Sequence, residues 1–293
     1  MERIDKIVYG DNQFFGINHR SQDKAEQLAE RFSDINEILR TYDTAYECGV
    51  RAIMLNSNQK APEITEYFRN NKDKFKDVAW YPSIPYPHKY ANMVAEKGIF
   101  GTFNEVIMKN NGALGALKMI GGGAMAAMNK DGIKMLQLLI DAEVGMFKGL
   151  DVKVIFLQNV ITDLLLGYQV KEVFQGYCDH IRKKYKAIPG FITLNLPFLM
   201  GKLKEWGIEE VAICSSINKI GFTMNPSLDA YLEVLKNNDP SKYQIMAMST
   251  LASGAIKPQE AFDFISGLNI QSVVFGASSE KNIRSSIGMI NLK

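Results

Sequence analysis

Few side chains in this 293-residue chain could move a proton, and most of them follow short apolar runs. Asp11 comes directly after Lys6–Tyr9, in YGDNQFFG, and His19 lies a few residues on. Tyr86, His88 and Lys89 place a phenol, an imidazole and an amine within four residues after Val78–Ile84. Each of these groups can act as a general acid or base once its pKa is tuned. The bland alternatives are a turn cap for Asp11, surface loop histidines for His19 and His88, and a proline-punctuated turn for Tyr86–Lys89. Around them the residues at corresponding positions are amides and hydroxyls: Asn56, Ser57 and Asn58, then Gln158 and Asn159, then Asn195 and Asn218. Such groups orient a polar ligand by hydrogen bonds and are weak acids and bases. Asn56, Gln158 and Asn159 are candidate substrate contacts. No pair of the three histidines has HxH or HxxxH spacing, so no metal centre is expected. His180, inside an amphipathic Glu172–Tyr185 segment, reads as structural.

The best ligand signal is a pair of polar turns near the C-terminus. Gln244–Met248 runs into Ser249, Thr250, Leu251 and on to Gly254; Ser272–Gly276 runs into Ser278, Ser279, Lys281 and Asn282. Glycine allows close backbone approach, and a helix starting near Glu280 would aim free N–H groups at an anion. Serine at position 279 is equally a common helix cap.

The elements that must position these residues follow from the pattern of apolar runs. Eight short runs read as strands buried on both faces: Lys6–Tyr9, Ala52–Asn56, Val78–Ile84, Lys153–Gln158, Gly190–Leu194, Val211–Ser215, Gln244–Met248 and Ser272–Gly276. Helical spacing between them, as in Asp34–Gly49, Leu196–Gly207 and Pro226–Asn237, predicts strand–helix alternation and a parallel sheet. Eight units favour a closed (β/α)8 TIM barrel of one domain over residues 1–293, with active residues at the C-terminal strand ends and phosphate near the last two strands. The interval 85–150 exceeds one crossover helix and is read as a long helical insertion. Its Gly/Ala/Met-rich part, Gly112–Met128, reads as a close-packed hairpin or a cover over the barrel mouth.

A net charge of +2, from 34 basic and 32 acidic residues, argues against a dedicated nucleic-acid binder. Three scattered cysteines (Cys48, Cys178, Cys214) read as free thiols in a reducing cytoplasm. No apolar stretch reaches the roughly 20 residues that span a membrane. The expected partner is a small molecule, and a phosphate-containing one.

Several of these segments resemble the aldo-keto reductase superfamily, whose barrel binds NADP(H) without a Rossmann fold. Ser249–Gly254 is similar to that family's S-P-L-x-x-G turn beside the cofactor pyrophosphate. Phe275–Ile283 is similar to its G-x-S-S-x-x-x-I segment, which holds the adenosine phosphate. Tyr46–Arg51 resembles the join before the second strand, Thr193 and Asn195 fall near the Ser-Asn pair that orients the carboxamide, and Asn218 falls near a later ligand-facing position. The resemblance implies NADP(H) as cofactor, held by Asn195, Asn218, Ser249, Thr250, Leu251, Gly254, Gly276, Ser278, Ser279, Lys281 and Asn282. The family's catalytic Asp/Tyr/Lys/His set has no counterpart. After Arg51 the chain reads AIMLNSNQ, at the third strand's end YPSI, and at the fourth's LQN.

Three readings follow. One is an enzyme of altered chemistry on this barrel, with Asp11, His19, Tyr86, His88 or Lys89 as acid and base, converging with Asn56, Gln158 and Asn195. Another is a cofactor-binding sensor without turnover. The third is a sugar-phosphate aldolase or isomerase, with a Schiff base at Lys89 or Lys219 buried at the barrel mouth.

Overall fold

A computed structural model of the chain describes residues 1–15, 22–86 and 130–292. Eight strands run in order: β1 (Ile7–Tyr9), β2 (Ala52–Asn56), β3 (Ala79–Ile84), β4 (Asp151–Val152 and Val154–Leu157, interrupted at Lys153), β5 (Ile188–Thr193), β6 (Val211–Ser216), β7 (Tyr243–Met248) and β8 (Ser272–Phe275). Every neighbouring pair is parallel, and β1 pairs with both β2 and β8, so the sheet closes. This is the (β/α)8 barrel that the apolar runs predict. All eight strands overlap the predicted runs.

Alternation along each strand divides the core. Inward residues such as Val8, Met54, Tyr81, Phe156, Ile192 and Met246 fill the barrel, and outward ones such as Phe191 and Ile213 pack under the helices. Gly190 makes this filling possible, because a Cβ there would collide with the Phe156 ring. The N-terminal end is plugged by the chain's own start. Gln244 Oε1 accepts from the Ile4 N–H at 2.7 Å, and the Tyr81 hydroxyl donates to Asp5 at 2.5 Å. The end carrying the C-termini of the strands is left for a site.

The helices begin and stop where their end residues dictate. In α1 (Gln22–Arg31) and α2 (Ile35–Glu47) the boundary is Asp34, whose carboxylate accepts from the Asn36 N–H at 2.9 Å as an N-cap. Then come α3 (Ala61–Asn70), α4 (Lys130–Val144), α5 (Asn159–Gly167) and α6 (Lys171–His180). α7 (Leu196–Trp206) starts at the Asn195 cap and ends at Gly207, which takes φ +68°. α8 (Leu228–Lys236), α9 (Pro258–Ser266) and α10 (Glu280–Met289) complete the ring. Of the predicted insertion 85–150, the described part includes α4; Gly112–Met128 lies outside the described residues. His180 has the structural place expected of it: its Nε2 is 2.7 Å from Asp141 of α4, which also accepts from Tyr185 at 2.5 Å. No helix among the described residues is long and apolar enough to cross a membrane.

Candidate functional site

At the barrel mouth, the ends of β1, β2 and β4 build one connected polar group. Asp11 leaves β1 through Gly10 and folds back over β2. One carboxylate oxygen accepts from Asn56 Nδ2 at 2.6 Å; the other accepts from the Asn56 N–H at 2.9 Å and from Asn58 Nδ2 at 3.2 Å. Asn56 Oδ1 in turn accepts from Gln158 Nε2 at the end of β4. A chain of amides therefore runs from β4 to the carboxyl of β1. Three of the residues singled out from sequence, Asp11, Asn56 and Gln158, meet here.

The carboxyl is 2 % exposed. Burial disfavours its charged form and pushes its pKa from 3.8 up to about 6; the N–H donors of Asn56 and Asn58 oppose this and limit the rise. Asp11 thus holds its proton closer to neutrality than an ordinary carboxyl does. Its charge reaches two phenols. Tyr86, half-buried after β3, has its backbone N–H on Ser57 Oγ at 3.1 Å, and burial and then the Asp11 charge raise its pKa. Tyr42, fully buried on α2, is raised mainly by burial and then by Asp11, and its hydroxyl has no partner among the described residues.

The other predicted residues have different employment. Asn195 Oδ1 accepts from the Phe198 N–H at 3.2 Å, as the cap of α7. Asn159 is the first residue of α5. Asn218 is buried, and its amide closes a loop by pairing with the Phe222 carbonyl at 2.9 Å and N–H at 2.8 Å. Lys219 is not buried: it pairs with Glu260 at 2.7 Å, both side chains about half exposed, so it lacks the buried setting expected of a Schiff-base lysine. His19, His88 and Lys89 lie outside the described residues.

On the other flank of β1 in the closed sheet, the turns after β8 and β7 offer backbone rather than side chains. Ser249, Ala252, Ser253 and Gly254 all take positive φ, at +54°, +45°, +55° and +85°. Such a run is strained for residues other than glycine, and strain of this kind gathers at ligand sites. Leu251 and Ala252 take right- and left-handed backbone in turn, and the Ala252 and Gly254 N–H groups donate within the turn, to the Ser249 and Leu251 carbonyls at 2.9 and 2.8 Å. Thr250 is buried there, while Ser249 and Gly254 are exposed. After β8, Gly276 is exposed, Ser279 caps α10 by accepting from the Asn282 N–H at 3.4 Å, and Lys281 and Asn282 are exposed in its first turn. Arg31, which no sequence motif marks, donates to the Ser278 carbonyl at 2.8 Å and brings a positive charge to this turn. Among the described residues no group of three or more His, Cys, Asp or Glu could hold a metal ion.

No family model and no curated protein matches the sequence. Solved structures do. A protein from Pseudomonas aeruginosa, described only provisionally as an aldo-keto reductase, superposes with a TM-score of 0.59 at 8% identity, covering 98% of this chain and 89% of that one. The holo form of an aldo-keto reductase from Bacillus halodurans gives 0.54 at 7% identity, covering 98% and 87%. An aldo/keto reductase from Brucella melitensis gives 0.53 at 9% identity, covering 98% and 89%. The likeness is one of fold. It spans nearly the whole of this chain. On β2, Met54 sits among apolar side chains inside the barrel.

Proposed function

We propose that this protein is an enzyme on an aldo-keto-reductase-like barrel that binds a phosphate-bearing ligand at the turns after β7 and β8 and uses Asp11 in place of that family's catalytic set. NADP(H) is the favoured ligand, because the relatives in fold are aldo-keto reductases and one of them is a holo form. The observation that carries the reading is the Asp11 carboxyl, held at the mouth by three N–H donors with its pKa raised to about 6. A carboxyl so poised suits proton exchange with a hydroxyl or carbonyl of a ligand oriented by Asn56 and Gln158. Tyr86 is a phenol whose pKa is raised by burial and then by the charge of that carboxyl. His19, His88 and Lys89 remain candidates for the partner acid or base.

The burial of Asp11 favours a second reading, a ligand sensor without turnover. Both carboxylate oxygens are already engaged by protein amides, so a ligand would meet Asn56 and Gln158 first.

Calorimetric titration of the purified protein with NADPH, NADH and simple phosphate esters tests the proposal. Binding of a nicotinamide nucleotide, with oxidation of NADPH by small aldehydes or ketones that Asp11→Asn abolishes, is the expected result. Nucleotide binding without turnover would establish the sensor. A phosphate ester bound in place of either nucleotide would move the chemistry to sugar phosphates, and no binding of any of the three would contradict the site.

A further inference from the structure

The corner between β1 and β8 holds a side chain whose placement is unfavourable in the free protein. Gln13 lies in the single 3-10 turn Asn12–Phe15, beside the proposed phosphate turn. Its Nε2 donates to the Gly10 carbonyl at 2.7 Å. Its Oε1 is buried and has no donor among the described residues, and Gln13 as a whole is 8% exposed. A buried acceptor without a donor loses its hydration and gains nothing in return.

The position of that oxygen is informative. It occupies the space a Cβ on Gly276 would take, so the notch left by the missing side chain is filled by the amide. Everything else at the corner is anchored. The Gly10 N–H donates to the Phe275 carbonyl at 2.8 Å, the Tyr9 hydroxyl donates to the Ala277 carbonyl, and Arg31 holds the Ser278 carbonyl. Among the described residues at this corner, Gln13 contributes the unsatisfied group. An anion on this turn would bring negative oxygens up to an undonated carbonyl oxygen, which repels them. The same turn carries Asp11, whose carbonyl accepts from the Phe14 N–H at 2.9 Å.

We propose that Gln13 is an internal occupant of the notch at Gly276, displaced when phosphate binds the turn after β8, and that its displacement shifts the Asp11–Phe15 turn and so couples ligand binding to the Asp11 carboxyl. Gln13 is thereby a positioning residue. The inference rests on the reading that this turn holds a phosphate. It requires only rotation of one side chain and adjustment of one short turn.

The test compares wild type, Gln13→Ala and Gln13→Met, each first shown to be folded by circular dichroism. Inorganic phosphate and NADPH are titrated calorimetrically, and the Asp11 carboxyl is followed by 13C NMR. Removing the occupant in Gln13→Ala is expected to tighten binding three- to tenfold. The apolar chain of Gln13→Met, which fills the notch without an orphan oxygen, is expected to weaken it by a similar factor. Wild-type binding should displace the Asp11 resonance and its titration midpoint, and binding to Gln13→Ala should leave both in place. Equal affinities in all three proteins, or an Asp11 resonance that moves as much in Gln13→Ala as in wild type, would overturn the coupling while leaving the phosphate site intact. No binding of either probe to any of the three would overturn the site and the coupling together.

Discussion

The two sides of the barrel mouth are built on opposite principles. Along β1, β2 and β4, side chains do the work: Asp11, Asn56, Asn58 and Gln158 interlock, so that moving one disturbs the next. Along β7 and β8, the backbone does it: left-handed residues, a glycine and a capped helix start present the main chain. The first side tunes a proton and tolerates little substitution. The second, on the proposed function, receives a ligand and tolerates side-chain change where φ permits. The comparison predicts a steep gradient of mutational cost across the mouth.

The largest effect belongs to Asp11. Asp11→Ala strands three N–H donors, two of them on one asparagine, and should cost about 4 kcal/mol in denaturant unfolding. A cost below about 1 kcal/mol would show that the amides find other partners and that the network is loose.

The pH dependence comes next. The folded-state pKa of Asp11 is raised from 3.8 to about 6, so the folded chain binds more protons than the unfolded chain between those values. The resulting contribution to stability is fully present below the unfolded pKa and is lost as pH rises through the folded one, about 3 kcal/mol in all. Unfolding free energies measured from pH 4 to 7 should therefore fall more steeply for wild type than for Asp11→Asn. Parallel curves would remove the basis for a tuned carboxyl.

A smaller effect separates Gly276 from its surroundings. Gly276→Ala forces its Cβ against Gln13 and should destabilise by about 2 kcal/mol. Adding Gln13→Ala should recover most of that loss in a double-mutant cycle, whereas additive losses would mean that the strain lies in the backbone. The smallest effect is Ser279→Ala, which removes the cap of α10 and should cost about 1 kcal/mol. If phosphate affinity falls tenfold as well, the hydroxyl serves the ligand in addition to the helix.

The same contrast explains what was legible in the sequence. The β7 and β8 side is local: each strand, turn and helix start is contiguous, so Ser249–Gly254 and Gly276–Asn282 stand out as motifs. The strand runs were legible because strands buried on both faces are continuously apolar. Their ends were less so. β5 begins at Ile188, two residues ahead of the predicted run, because a parallel strand accommodates Pro189 opposite Ile155. The β1, β2 and β4 side depends on barrel closure. Asp11 could be singled out from its place after a strand, but that its partners are Asn56, Asn58 and Gln158 follows only once β1 lies beside β2 and β4 comes round beside β3. Gln13 and Arg31 were missed for the same reason. Each meets the β8 turn across more than 240 residues of sequence, and neither stands in a motif. The available signal was Gly276, a residue without a side chain that something else had to complement.

The central claim is that a buried carboxyl at the mouth of this barrel holds its proton close to neutral pH. The direct measurement is a 13C NMR titration of the aspartate carboxyls, with Asp11 assigned by its loss in Asp11→Asn. The expected midpoint for Asp11 is near 6, above the ordinary 3.8. A midpoint at or below the ordinary 3.8 would contradict it, leaving Asp11 as a structural anion and the barrel mouth as a binding site alone.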